Sequence, residues 1–299
     1  MRDRTPHAGG HLISGRGLSA GRLHVCLIWL ILILSWLPLS PAAAAPNLIE
    51  DLRYRLAVLV WPDAARVRVT LRKKGKGRLV AEVSGETQGL IKLLSGNRKE
   101  RLRTEMLWRK GRLAPVVYRE EAWRHGKHAL KEYRFDYHRS RLSLWQWQQG
   151  KGLVKKWETT LQKQVYDPLS AFYNCRLRLL GPTQAGETST IPGIPYPRPE
   201  ALEVRLGPET KGGRKAMVSL INPVYTDSRG KVFAFIDARR VPRRVWTTVF
   251  GVTVTGTLLP DSLIMPAHLP GSPKPGPLAA SRRPGAAATK NLIAKECLP

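Results

Sequence analysis

Cysteine is scarce in this chain, acid is scarcer than base, and the usual catalytic signatures are missing. Of 299 residues only 3 are Cys. Cys26 lies in the N-terminal apolar stretch, which leaves Cys175 and Cys297, too few for a framework of disulfides holding a small domain. An oxidising compartment permits a bond between those two; two free thiols is the alternative, because Cys297 sits in a tail of Pro, Gly and Ala. No Cys/His spacing matches a zinc site. After residue 45 there is no Gly-x-Ser-x-Gly elbow and no Gly-Lys-Ser/Thr phosphate loop. No internal repeat of fixed period runs through the chain.

The shortage of acid sets the charge. There are 22 Asp and Glu against 50 Lys and Arg, a formal net charge of +28. Residues 1–45 carry Arg2, Arg4, Arg16, Arg22 and Asp3, so about +25 remains without them. Such a field attracts polyanions: nucleic acid, anionic lipid head groups, acidic polysaccharide. The charge is spread along the chain and not clustered, so a solvated Arg-rich surface explains it equally well. At 42% hydrophobic residues, with 9 Trp, the chain has enough apolar material for a core.

An apolar run without charge spans Cys26 to Leu37, with Arg16 and Arg22 before it and Ala42-Ala43-Ala44-Ala45 after it. A basic flank, a short apolar stretch and a small-residue exit form the pattern of a secretory signal, here with cleavage after Ala44 or Ala45. A membrane span needs about 20 apolar residues, and this run is shorter. An uncleaved anchor is the competing reading. The domain boundaries expected are therefore a signal peptide at 1–45, one β-rich domain at 46–262 and a disordered tail rich in Pro, Gly and Ala at 263–299.

The body reads as strands. In Ala65-Arg66-Val67-Arg68-Val69-Thr70-Leu71-Arg72 apolar and polar residues alternate, which places Ala65, Val67, Val69 and Leu71 on one face. Leu52 to Val60 and Leu79 to Val83 carry similar rows, so the domain opens with a three-strand meander. Turn signals at Lys110-Gly111-Arg112 and His125-Gly126-Lys127 separate further strands, and more follow at 202–206, 216–220, 232–236 and 252–258. Asp167-Pro168-Leu169-Ser170 starts a helix, with a carboxylate cap, Pro at the first helical position, and Leu169, Phe172, Tyr173 and Leu177 on one face. A shorter helical turn is expected at 89–94. Pro182 to Pro199 reads as a loop between two halves.

These elements, in this order, resemble an exported bacterial family, domain of unknown function (DUF) 3108. Tyr166-Asp167-Pro168-Leu169-Ser170-Ala171-Phe172-Tyr173 is similar to its Asp-Pro-Leu-Ser-Ala helix start followed by aromatics. Gly111 to Pro115 is similar to its Gly-x-x-x-Pro turn, and Phe135-Asp136 to its Phe-Asp pair. Val241-Pro242-Arg243-Arg244-Val245 and Gly251 to Leu259 resemble its closing strands. The resemblance covers about residues 46–262. Asn174-Cys175 departs from the usual Leu-Arg step, and the Pro-rich loop is atypical. The resemblance implies a secreted, β-rich, periplasmic protein of Gram-negative type and carries over no catalytic residue.

Site candidates are few. His125, His128 and His138 lack the spacing of a helical zinc pair and stand among Arg124, Lys127 and Arg139, which repel a cation. No metal and no cofactor is expected. Glu120, Glu121, Glu132 and Asp136 lie beside arginines, so salt-bridged strand faces account for them better than glycosidase chemistry. The feature with binding character is an aromatic row, Tyr133, Phe135 and Tyr137, with Trp145 and Trp147 on the next strand and Lys131 and Arg134 interleaved. It suits a ligand with an apolar part and an anionic part, or ordinary core. Export argues against nucleic acid as the partner.

The fold expected is all-β: a strongly curved antiparallel sheet or half-open barrel around one central helix. By fold-level analogy that shape resembles periplasmic lipoprotein carriers. The function expected is non-enzymatic binding of an envelope lipid or glycan in the concave sheet. The alternatives are a structural protein with a solid core that docks its basic surface on an anionic membrane or a cell-wall polymer, and a hydrolase of unrecognised type.

Overall fold

The computed structural model describes residues 47–75, 77–195, 201–220, 230–249 and 251–266. The signal segment, Ala44, Ala45 and Cys297 lie outside the described residues. Fourteen strands form one antiparallel sheet. Eight come in the first half: β1 (Leu48–Val58), β2 (Trp61–Lys73), β3 (Arg78–Thr87), β4 (Lys99–Arg109), β5 (Arg112–Arg124), β6 (Lys127–Asp136), β7 (Arg141–Gln148) and β8 (Gly152–Thr160). The second half contributes β9 (Thr188–Pro192), β10 (Ala201–Thr210), β11 (Gly213–Leu220), β12 (Lys231–Ile236), β13 (Pro242–Val249) and β14 (Val252–Leu258). Short helix α1 (Gly89–Leu94) joins β3 to β4, and helix α2 (Pro168–Arg176) separates the two halves.

Each half is a meander, because tight turns join neighbouring antiparallel strands with the least loop. The halves meet where β14 pairs with β1, and β8 and β9 are the two edges of an unclosed sheet. The segment entering α2 lies against the end of β9: Tyr166 bridges to Gly193 in parallel, and its N–H donates to the Pro192 carbonyl at 2.9 Å. Two of the prolines inside strands sit where the ladder slips. Pro115 flanks the register shift between Glu105 and Met106, and Pro242 flanks the one between Phe235 and Ile236, since Pro has no N–H to give a regular ladder.

Helix α2 begins as the Asp-Pro step dictates. Asp167 Oδ1 accepts the Leu169 and Ser170 N–H groups at 2.9 and 3.1 Å, and Oδ2 accepts the Thr104 hydroxyl at 2.9 Å. One carboxylate thus caps the helix and ties it to β4. Burial pushes its pKa up, against those hydrogen bonds. Asn174, the residue that departs from the family step, is fully buried. Its amide clamps Leu113 of β5 from both sides, donating to the carbonyl at 2.8 Å and accepting the N–H at 3.0 Å.

The core surrounds this helix. Leu169 and Tyr173 pack with Leu71, Ala81, Met106, Leu113 and Met265, while Phe172 reaches the cluster of Leu52, Tyr54 and Val241. Burying a Leu-sized side chain is worth roughly 1.5–3 kcal/mol, so this interface fixes the helix on the concave face. Two boundaries differ from expectation. The Pro-rich segment 182–199 contains β9, because Thr188–Pro192 finds a partner in β10. The ordered body also runs past 262: Leu263 bridges to Asp51 and Met265 is buried. Residues 267–299 lie outside the described residues.

Candidate functional site

The concave face is filled in the first half and hollow in the second. On β5, β6 and β7 the inward positions hold Tyr118, Tyr133, Phe135, Leu142 and Leu144, packed with Val165 and Ile194. Tyr118 and Tyr133 stack at 5.8 Å between ring centroids. Large side chains leave no room there.

On β10, β11 and β12 the inward positions are aliphatic and small. The register pairs Leu206 with Ala216, Val204 with Val218, Ala216 with Ala234 and Val218 with Val232. Side chains alternate faces, so the bulky Phe233 goes outward, where it stacks on Trp246 at 5.7 Å beneath Lys215. The inward pair Ala216–Ala234 cannot span the gap to α2. A cavity of about 340 Å³ results. Ala171, Phe172 and Cys175 of α2 form its opposite wall, Ile191 of β9 and Val245 of β13 flank it, and the exposed Val232 also lines it. The lining is apolar apart from Arg176, Arg240 and the Cys175 thiol. Among the described residues Cys175 has no disulfide partner, and burial pushes its pKa up to about 11, with Arg240 pulling the other way.

A polar pocket of about 490 Å³ lies next to it, around the β12–β13 turn, lined by Arg178, Arg214, Arg239, Arg240, Glu209 and Asp237 among others. Arg240 lines both spaces.

The aromatic row expected to form one surface is divided by parity. Tyr133 pairs with Leu144 and Glu132 with Trp145, so Tyr133 and Phe135 face the core while Trp145 faces outward with Glu132. Tyr137 is half-buried, its hydroxyl donating to the Pro115 carbonyl at 2.8 Å and its ring under Arg109. Trp145 carries Arg134 over its ring at 4.4 Å and donates to Ser143. Trp147 is exposed. Lys131 lies 3.6 Å from Glu120, and Arg134 donates to Glu132 at 2.6 Å. Glu132 also accepts from Arg119. Burial raises the Glu132 pKa, but the two arginines outweigh it and hold the carboxyl below its usual value. Among the described residues, no three His, Cys, Asp or Glu side chains gather as metal ligands.

The family model described as "Protein of unknown function (DUF3108)" matches residues 52–257, spanning β1 to β14. The chain belongs to this family. The Asp167-Pro168-Leu169-Ser170 motif of the DUF3108 chain is the cap and first turn of α2. No curated protein matches it. Among solved structures, it is similar to a β-barrel-like protein of domain of unknown function DUF1849 from Brucella abortus. The identity is 9%, covering 72% of this chain and 98% of that one, with a TM-score of 0.42.

Proposed function

We propose that this DUF3108 chain is an exported, non-enzymatic periplasmic protein that binds an apolar or amphiphilic envelope ligand in the hollow half of its sheet. The observation that carries the reading is the apolar cavity between α2 and the Ala216–Ala234 pair. An apolar lining with a few polar groups at its edge suits a lipid chain better than a glycan, whose hydroxyls need partners throughout. The basic flank, apolar run and Ala exit of residues 1–45 support export. Native mass spectrometry of the purified protein tests the binding. A mass increment after exposure to an envelope lipid extract is expected, and a bare mass at every lipid concentration counts against it. Export is tested separately by the intact mass of the periplasmic protein, which should lack residues 1–44 or 1–45.

A second reading, docking on an anionic membrane surface, has its own observation. Leu59, Val60 and Trp61 at the β1–β2 turn and Leu90 and Leu93 of α1 are exposed large apolar side chains. All lie at the same end of the meander, where the Gln88 N–H donates to the Ala64 carbonyl. Apolar tips on a basic body suit shallow insertion beside anionic head groups. Cosedimentation with anionic vesicles, abolished by salt and by Trp61→Ser with Leu93→Ser, is its mark.

A further inference from the structure

We propose that the apolar cavity and the arginine pocket beside it form one two-part site for a single-chain amphiphile with an anionic head group. The chain would lie against Ala216 and Ala234, and the head would rest on Arg240, Arg178 and Arg214. The inference rests on the cavity being a ligand site and adds the class of ligand.

Three observations carry it. First, the volume: about 340 Å³ is at the low end of small-molecule sites, roughly 300–1,000 Å³, and suits one extended chain and not two. Second, the charge at the junction. Arg240 is part-buried and lines both spaces. Its Nη1 and Nη2 donate to neutral acceptors, the Cys175 and Pro182 carbonyls, at 2.9 and 3.0 Å. No carboxylate among the described residues forms an ion pair with it. Glu187, whose charge reaches it, is taken up by the Thr183 and Gln184 N–H groups at 2.6 and 3.0 Å. Burial, followed by the field of Arg178 and then of Arg214, pulls the Arg240 pKa below its usual value. An anion seated there would relieve that cost.

Third, the pocket's own carboxylates are already engaged. Glu209 pairs with Arg214 at 2.7 Å and Asp237 with Arg243 at 2.7 Å. Asp237 Oδ1 also accepts the Arg239 and Val241 N–H groups at 2.9 Å each. Arg178 and Arg240 are moreover both held at left-handed φ, +59° and +58°, where Gly or Asn would sit with less strain. Arg214 and Arg239 face carboxylates of the pocket, at 2.7 Å from Glu209 and 4.0 Å from Asp237. That leaves Arg178 and Arg240 without an ion pair among the described residues, one cation more than a clamp between the helix end and the turn needs.

The test is a titration of the full chain followed by native mass spectrometry, with hexadecanoic acid, lysophosphatidic acid, hexadecan-1-ol and inorganic phosphate as probes. The two anionic amphiphiles should bind at least tenfold tighter than the alcohol. Arg240→Gln should bring binding of the two anionic amphiphiles down to the level of the alcohol, removing that preference. Arg178→Gln, which alters an exposed side chain and so spares the fold, should reduce it severalfold. Preference for the acid over the phosphate monoester, or the reverse, identifies the head group. Equal binding of acid and alcohol by the unaltered protein would overturn the head-group site and leave the cavity reading standing. Phosphate binding as tightly as lysophosphatidic acid would overturn the two-part site. Failure of every amphiphile to bind would remove the cavity reading itself.

Discussion

Arg176 at the end of α2 and Glu50 of β1 form an ion pair closed to solvent, with Nε 3.2 and 3.3 Å from the two carboxylate oxygens and side chains 3% and 0% exposed. Glu50 Oε1 also accepts the Met265 N–H at 3.1 Å, and Arg176 donates to the Arg239 carbonyl. Four segments far apart in sequence meet on these two side chains. Removing one partner leaves a buried charge uncompensated, at a cost of about 3–5 kcal/mol. Arg176→Met should therefore lower stability by that order in urea unfolding. Arg176→Met with Glu50→Gln should lose clearly less than the two single losses added; strict additivity would show that the pair is not coupled.

The cap at Asp167 joins α2 to β4 through a single carboxylate. Asp167→Ala removes the acceptor of two helix N–H groups and the shorter of the two hydrogen bonds of the Thr104 hydroxyl, leaving it only the Val117 carbonyl at 3.3 Å. A loss of about 2–3 kcal/mol in thermal or urea unfolding is expected. Asp167→Asn, which keeps one acceptor oxygen for the cap, should lose less.

Filling the hollow half should separate binding from folding. Ala234→Leu or Ala216→Leu places an aliphatic side chain in the cavity. Stability should hold or rise by about 0.5–2 kcal/mol, as cavity filling commonly does, while the lipid mass increment disappears. Unchanged lipid uptake by both variants would place the ligand elsewhere.

The Cys175 thiol should be inert in the native protein. With its pKa pushed up to about 11 by burial, only about one thiolate in a thousand is present at pH 8, and the thiolate is the reactive form. Alkylation by iodoacetamide should be slow until denaturant opens the fold. Rapid labelling of the native protein would mean that burial does not hold the thiol protonated in the folded chain.

Acid should destabilise the protein through carboxylates held by arginine. Burial raises the Asp51 pKa, but Arg68 at 2.7 Å and Arg53 at 2.9 Å outweigh it, so the group ends below its usual value. Glu132 behaves alike. A carboxylate depressed in the folded state stabilises above its unfolded pKa, about 4, and that stability is lost as pH falls through the lower folded value. Asp167, raised by burial, works in the opposite sense and offsets part of the loss. Urea midpoints should fall from about pH 5 downward. Asp51→Asn with Glu132→Gln should flatten that slope.

The sequence alone determined the local grammar of this protein. Alternation in Ala65 to Leu71 specified a strand, Asp167-Pro168 specified a helix start, and the Gly turns at 111 and 126 set the meander, because period, caps and turn conformations are properties of neighbouring residues. The salt-bridged carboxylates were legible for the same reason. Strand β8, strand β9 and the ordering of Leu263 and Met265 were not, since each depends on a partner segment that local pattern does not name. The site belongs to that second kind. Tyr133 and Trp145 look like neighbours on one surface until register assigns them to opposite faces. Ala216 and Ala234 are unremarkable singly, and they make a cavity only when pairing sets them side by side opposite α2. Tertiary structure decided which half is solid and which is hollow, because volume left empty is a property of facing elements and not of any one of them.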